Sequence, residues 1–358
     1  METLKKSKKH FCVISTSVTL LLIIYYSLEN NYLFKFSNKI EAFKFHNIRH
    51  NTTRPSYNVK GVHVIALVVV GERLQLSILL RYLIPNLKVN GGALDEIIFS
   101  LSNNEKADFD YVNSLLKQTG EYSEYLFIST QGLSNIYKEF KDEDLVFRID
   151  GQIVFISNGT FENMLEEYIS NKGVVLSANV INHPLLSHVH ARIRAILPFI
   201  EIKNYKWVYD NTSIETDKTV FLGFRYEPRP CLGNDGKCAA IAHESLFHHV
   251  DKNNVDAFDF NKWDFHCVNY SSWSISFILL RSKYAKKICG ADDEVSMSIS
   301  LPMERGRHGY ALGSAVVSHF SNRFQEKYLH STNILDKYDQ LSRDYFSINY
   351  YETYLRSN

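Results

Sequence analysis

Few side chains in this 358-residue chain combine a reactive type with surroundings that suit chemistry, and Asp150 is the first of them. It stands in LVFRIDGQIVFISN (Leu145 to Asn158), where one apolar run ends at Ile149 and another begins at Ile153. Open α/β sheets bind ligands outside the carboxyl ends of their strands, so a carboxylate at such an end is a ligand-site candidate. The plainer reading is a turn residue, because Asp-Gly between apolar runs is a common hairpin signal. Gln152 stands where a second acid would be wanted. Farther on, Asp292, Asp293 and Glu294 precede a helix start, where carboxylates are favoured by unpaired N–H groups and need have no other task. His319 closes the apolar run AVVSHF, a place where a histidine is more often structural than a ligand. Arg73 follows the first apolar run, and Arg148 lies two residues before Asp150.

The elements that must position these groups are legible as alternating patterns. VHVIALVVV from Val62 is a continuous apolar run, as expected of a strand buried on both faces of a parallel sheet. LQLSILLRYLI follows with helical spacing, then LDEIIFSLS as a strand, Asp108 to Gly120 as a helix, and Tyr125 to Ser129 as a strand. Leu133 to Phe140 is a helix before the strand that ends at Asp150. Phe161 to Ile169 (helix), Gly173 to Val180, Trp273 to Leu280 and Ala315 to Phe320 (strands), and a final helix after Tyr328 complete the reading. Such alternation predicts βαβ units and a doubly wound sheet. Asn182 to Asp264 reads as irregular, a loop-rich half suited to acceptor recognition. Neither GxGxxG nor GxxxxGK[ST] follows the first strand, which disfavours a Rossmann dinucleotide site or a P-loop. No GxSxG elbow supports serine hydrolase chemistry.

Lys+Arg 40 against Asp+Glu 39 gives no reason to propose nucleic acid as a partner. The histidines His183, His188, His190, His243, His248, His249 and His266 do not follow helical HExxH zinc spacing. Trp263 and Trp273 read as core rather than as sugar platforms. Residues 1–10, with Lys5, Lys6, Lys8 and Lys9, precede an uncharged run over 11–28. As a helix that run spans about 27 Å, so it predicts a signal anchor with the lysines in the cytosol. Residues 29–60 read as a luminal stem and 61–358 as the folded domain. Sequons at Asn51, Asn158, Asn211 and Asn269 suit a lumen, although Asn158 stands close to Asp150 in sequence. Beyond Cys12 in the anchor remain Cys231, Cys238, Cys267 and Cys289. The short CLGNDGKC loop makes Cys231–Cys238 the expected disulfide, with free buried thiols as the alternative.

RIDGQIVFI, VLSANVINHPLLSHVH, AAIAHESLFHHV, KWDFHCVNYSSWSISF, GADDE and ALGSAVVSHF occur in that order between Val62 and Leu341. Together they resemble fungal membrane proteins regarded as GT-A-type glycosyltransferases. The resemblance implies an α/β, GT-A-like mixed sheet and transfer of a sugar from a nucleotide sugar to a glycan or glycoprotein. It implies a single-pass type II protein of the Golgi or endoplasmic reticulum membrane. By position it makes Asp150 and Gln152 the donor-binding tip and Arg73 a contact for the nucleotide. It makes Asp293 the general base with Asp292 in reserve, and His319 a metal ligand beside Asp150. Where the family reads three acids at the tip, this chain reads Asp150, Gly151, Gln152. A Gln carbonyl brings no negative charge to Mn²⁺ or Mg²⁺, so metal affinity is expected to fall and cations such as Arg73 or Arg148 to matter more. The alternative is a luminal nucleotide-sugar- or glycan-binding protein on the same scaffold without catalysis. A glycoside hydrolase using Asp150 and Asp293 is a third, weaker reading.

Overall fold

β1 (Val64–Val69) is the strand on which the sheet is built, and only its last residue is not fully buried. It pairs in parallel with β2 (Glu96–Ser100) on one side and with β4 (Leu145–Asp150) on the other. β3 (Leu126–Ser129) extends the β2 side, again in parallel. Amphipathic helices at Arg73–Leu83, Lys106–Gln118 and Leu133–Glu139 make the crossovers, so β1, β2 and β3 form successive βα units. Helix Arg73–Leu83 turns Leu76, Leu79, Leu80 and Leu83 inward at helical spacing.

This computed structural model describes residues 61–101, 106–171, 174–196, 236–265, 273–287 and 293–357. The anticipated anchor over 11–28 and stem over 29–60 lie outside them. So do Asn51, Asn211, Asn269, Cys231, Cys267, Cys289 and Asp292. Among the described residues no helix is long and apolar enough to cross a membrane.

Beyond β4 the sheet continues through β8 (Phe277–Arg281), β6 (Leu176–Ile181), β9 (Tyr310–His319) and β5 (Ile153–Ile156), with β7 (Lys262–Asp264) also paired to β9. β8 is antiparallel to both β4 and β6, whereas β6 and β9 are parallel to one another. β1, β4, β6 and β9 therefore all point the same way. Their carboxyl ends share one rim, which brings the chain after Val69, Asp150, Ile181 and His319 to the same side.

Two sequence-based expectations are revised, and one alternative, the hairpin at Asp150-Gly151, is set aside. β4 and β5 are not a hairpin, because each pairs with other strands and Asp150-Gly151-Gln152 carries the chain across the sheet. β9 starts at Tyr310, and a bulge between Leu312 and Val316 interrupts its pairing with β6. Within the stretch expected to be irregular, Gly236–Asp251 is a helix with Ala239, Ala242, His243, Leu246 and Phe247 buried. Cys238 in that helix is disulfide-bonded, with its partner outside the described residues.

Candidate functional site

The site begins where β1 and β4 end side by side, Val69 in register with Asp150. β2 and β3 lie to one side of β1 and β4 to the other, so the strand order reverses here. This is the switch point at which open α/β sheets hold ligands. Gly151 locks the tip against β1, its amide donating to the Val69 carbonyl at 2.7 Å. A Cβ on Gly151 would lie 2.5 Å from the Gly71 nitrogen and 2.8 Å from the Val69 oxygen, so only glycine fits this approach. The Gln152 carbonyl in turn accepts from the Phe320 amide at 2.9 Å, tying the tip to the end of β9.

Asp150 Oδ1 accepts from the Gln152 amide at 3.1 Å, and Oδ2 lies 3.6 Å from His319 Nε2. The latter distance is too long for a hydrogen bond and marks an electrostatic pair. Burial works against the Asp150 charge, but His319, Arg148 and the Gln152 amide outweigh it and hold the carboxyl down at about 2. Asp150 is therefore ionised at neutral pH, with 31% of its side chain open to solvent.

Residues two apart on a strand share a face, so Arg148 lies on the face of Asp150. Its Nη1 donates to the Ile275 carbonyl at 3.1 Å. Its Nε and Nη2 reach Asp293 Oδ2 at 3.2 and 3.1 Å. Burial opposes the guanidinium charge, while Asp293 and Asp150 favour it and raise its pKa. Arg148 thus stands electrostatically between the two carboxylates. A cation inside an otherwise apolar strand needs a buried partner, and that was the sequence signal pointing to a distant acid.

Asp293 opens a helical run over Asp293–Val295, continues as a π-helix over Ser296–Ser300 and ends as Leu301–Arg305. Pro302 has no N–H to offer the Ser298 carbonyl four residues earlier. Trp273 Nε1 donates to that carbonyl instead, at 3.2 Å. Trp273 stacks on Phe265 with ring centroids 4.1 Å apart, and Trp263 and Trp273 are both buried, as core residues.

The remaining candidates are distributed more widely. Arg73 is the first residue of the helix after β1, and its side chain is half exposed. It pairs with Asp108 at 3.2 Å and lies over the Tyr111 ring at 5.5 Å. His183 accepts the Leu185 amide on Nδ1 at 3.1 Å and donates from Nε2 to the Ser274 carbonyl at 3.2 Å. His243 donates from Nε2 to the Phe320 carbonyl at 2.8 Å and accepts on Nδ1 from Tyr338 at 2.8 Å. Burial lowers both histidines to about 4, so they are neutral braces of the rim. Asn158 is exposed just past the far end of β5, about 17 Å of extended chain from Ile153, so a glycan there would stand clear of the tip.

Glu72 and His330 also meet on this rim, with Oε2 and Nε2 3.3 Å apart, and the sequence patterns did not single them out. The only local signal was the position of Glu72, directly after the first strand and its Gly71.

No protein-family model matches this chain, and no curated protein matches it. Among solved structures it is similar to 4-diphosphocytidyl-2C-methyl-D-erythritol synthase from Anaerococcus prevotii. The identity is 14%, the match covers 78% of this chain and 97% of that one, and the TM-score is 0.37. A likeness of that degree is no ground for assigning an activity.

Proposed function

We propose that the rim formed by β1, β4 and β9 is the donor site of a GT-A-like glycosyltransferase. It would move a sugar from a nucleotide sugar to a glycan or glycoprotein. The observation that carries this reading is the ionised Asp150 at the switch point, facing His319 across 3.6 Å. The expected membrane anchor and luminal location belong to the same proposal, as does the Cys231–Cys238 disulfide.

The donor set suits Mg²⁺ or Mn²⁺ in a limited way. Two ligands of one such ion at about 2.1 Å stand about 3 Å apart at a right angle. The Asp150–His319 spacing is slightly wider, so small side-chain movements would admit an ion. Among the described residues no group of three His, Cys, Asp or Glu is positioned to hold a metal. Such an ion would therefore share its other positions with water and donor phosphates, as Mg²⁺ commonly does. When bound, it would neutralise charge on the leaving diphosphate. Arg148 supplies a fixed positive field to the same face of β4, and Arg73 stands at the rim for the nucleotide.

Asp293 fits a positioning part better than that of general base. Its Oδ2 already accepts from two guanidinium nitrogens, so that oxygen is not free to take a proton from an acceptor hydroxyl. This observation also supports a second reading, a nucleotide-sugar-binding protein without catalysis, in keeping with Gln152 at the tip.

Incubating the full-length chain with uridine- and guanosine-diphosphate sugars, with and without Mn²⁺, separates the two. Released nucleotide is followed beside donor binding. Turnover supports the transferase, and binding without turnover supports the binding protein. Gln152→Asp should raise the response to Mn²⁺ at least several-fold. No change in either metal response or donor binding would move the site away from this tip.

A further inference from the structure

Asp293 spends its Oδ2 on Arg148, so a second group able to receive the acceptor's proton is worth seeking. A second acid–histidine pair stands on the same rim. Glu72 Oε2 lies 3.3 Å from His330 Nε2 and also accepts from Gln75 Nε2 at 3.1 Å. Glu72 follows Gly71, which borders Gly151 and Gln152. The His330 ring packs edge-on against Phe320 with centroids 5.4 Å apart, and the Phe320 amide is bonded to the Gln152 carbonyl. Glu72 is thus carried by the backbone segment that clamps the Asp150 tip on one side, and His330 packs on the residue that clamps it on the other. With successive Cα atoms about 3.8 Å apart, this sets the Glu72 backbone on the order of 10 Å from that of Asp150. A donor sugar and an attacking hydroxyl can bridge such a separation.

Most exposed ion pairs do little more than decorate a surface, but this one is built from beneath. Gln75 is fully buried and spends its amide N–H on Glu72, while its Oε1 has no hydrogen-bond partner among the described residues. An unmet buried acceptor costs stability and calls for an explanation, and functional sites are where such costs are retained. The imidazole and the carboxylate remain accessible, at 39% and 44% side-chain exposure. A carboxylate facing Nε2 keeps the proton on that nitrogen and leaves the Nδ1 lone pair as the acceptor. A base oriented by an acid, itself held by a third group, is the arrangement that activates hydroxyl nucleophiles on unrelated folds.

Building on the transferase reading, we propose that His330 is the general base, with Glu72 and Gln75 as its positioning residues. In a direct displacement the acceptor oxygen bonds to the anomeric carbon while its proton passes to His330 Nδ1. The bond from that carbon to the diphosphate oxygen breaks, and its electron pair leaves with the nucleoside diphosphate. The site pairs a donor end at Asp150 and His319 with an acceptor end at Glu72 and His330.

His330→Ala in the full-length chain tests this, with turnover measured in the presence and absence of added imidazole. The expected loss in kcat is about 10²- to 10⁴-fold, with donor affinity within about twofold of wild type and partial rescue by imidazole. Glu72→Gln, which can keep a hydrogen bond to His330, should lose less, about tenfold. A wild-type enzyme that turns over while His330→Ala matches it would overturn this assignment and leave the transferase reading standing. Loss of donor binding in His330→Ala, without imidazole rescue, would also overturn it by making the residue structural. A wild-type chain that neither binds nor uses any nucleotide sugar would remove both.

Discussion

Asp293→Ala should be among the more damaging substitutions on the rim, and the reason is its partner. The change removes the oxygen that accepts from Arg148 Nε and Nη2 at 3.2 and 3.1 Å, leaving that guanidinium the Ile275 carbonyl. The Arg148 side chain is 9% exposed, so water cannot replace the lost carboxylate. Breaking a buried ion pair from one side costs about 3–5 kcal/mol. Asp293 is itself 20% exposed, which places the expected loss near the lower end, about 3 kcal/mol. Arg148→Met should cost less, about 2 kcal/mol, because the stranded carboxylate can turn toward water at a helix start. Once either partner is gone, removing the other forfeits little, so the double variant should retain a coupling of about 2 kcal/mol. Urea unfolding of the four proteins at pH 7 measures the cycle. Losses that add to within about 0.5 kcal/mol would show two independent residues and refute the reasoning.

Asp150→Asn should cost about 1–2 kcal/mol at pH 7, discounted for partial exposure from the interval between an ordinary aspartate and the native carboxyl at about 2. Because the native pKa is depressed, this stability is present above about pH 5 and fades as pH falls toward 2, so urea midpoints of the two proteins should converge in acid; a pH-independent gap would contradict the pairing. Gly151→Ala should destabilise by about 2–4 kcal/mol, because its new methyl meets backbone atoms at 2.5 and 2.8 Å. Gly132→Ala, at the N-cap of Leu133–Glu139 where a Cβ has nothing within 4 Å and φ is −63°, lacks the clash and should cost no more than about 1 kcal/mol in the same melts.

The chain's local patterns carried much of the architecture. Val64 to Val69 and Ile153 to Ile156 could be read as buried strands because burial on both faces excludes polar side chains. Other elements were hidden for physical reasons. Gly236–Asp251 mixes histidines and small residues on its buried face, which blurs the apolar period that marks a helix. β9 was recognised only over its last residues, because Gly313 and the bulge beside it break the alternation. Asp-Gly at 150–151 resembled a hairpin turn because a glycine needed for close backbone approach looks the same, in sequence, as one needed for a turn.

By itself the sequence determined that Asp150 and His319 each end an apolar strand, since an ionisable side chain beside such a run must lie near its end or find a partner. Residue patterns did not say which partner, although the family resemblance set His319 beside Asp150; the tertiary structure supplies the contacts. Arg148 meets Asp293 145 positions away, His319 comes to Asp150, and Glu72 meets His330. Those meetings follow from strand order, with β8, β6 and β9 placed beyond β4 and four carboxyl ends brought to one rim. Strand order is settled by the packing of whole layers, and no local periodicity records it.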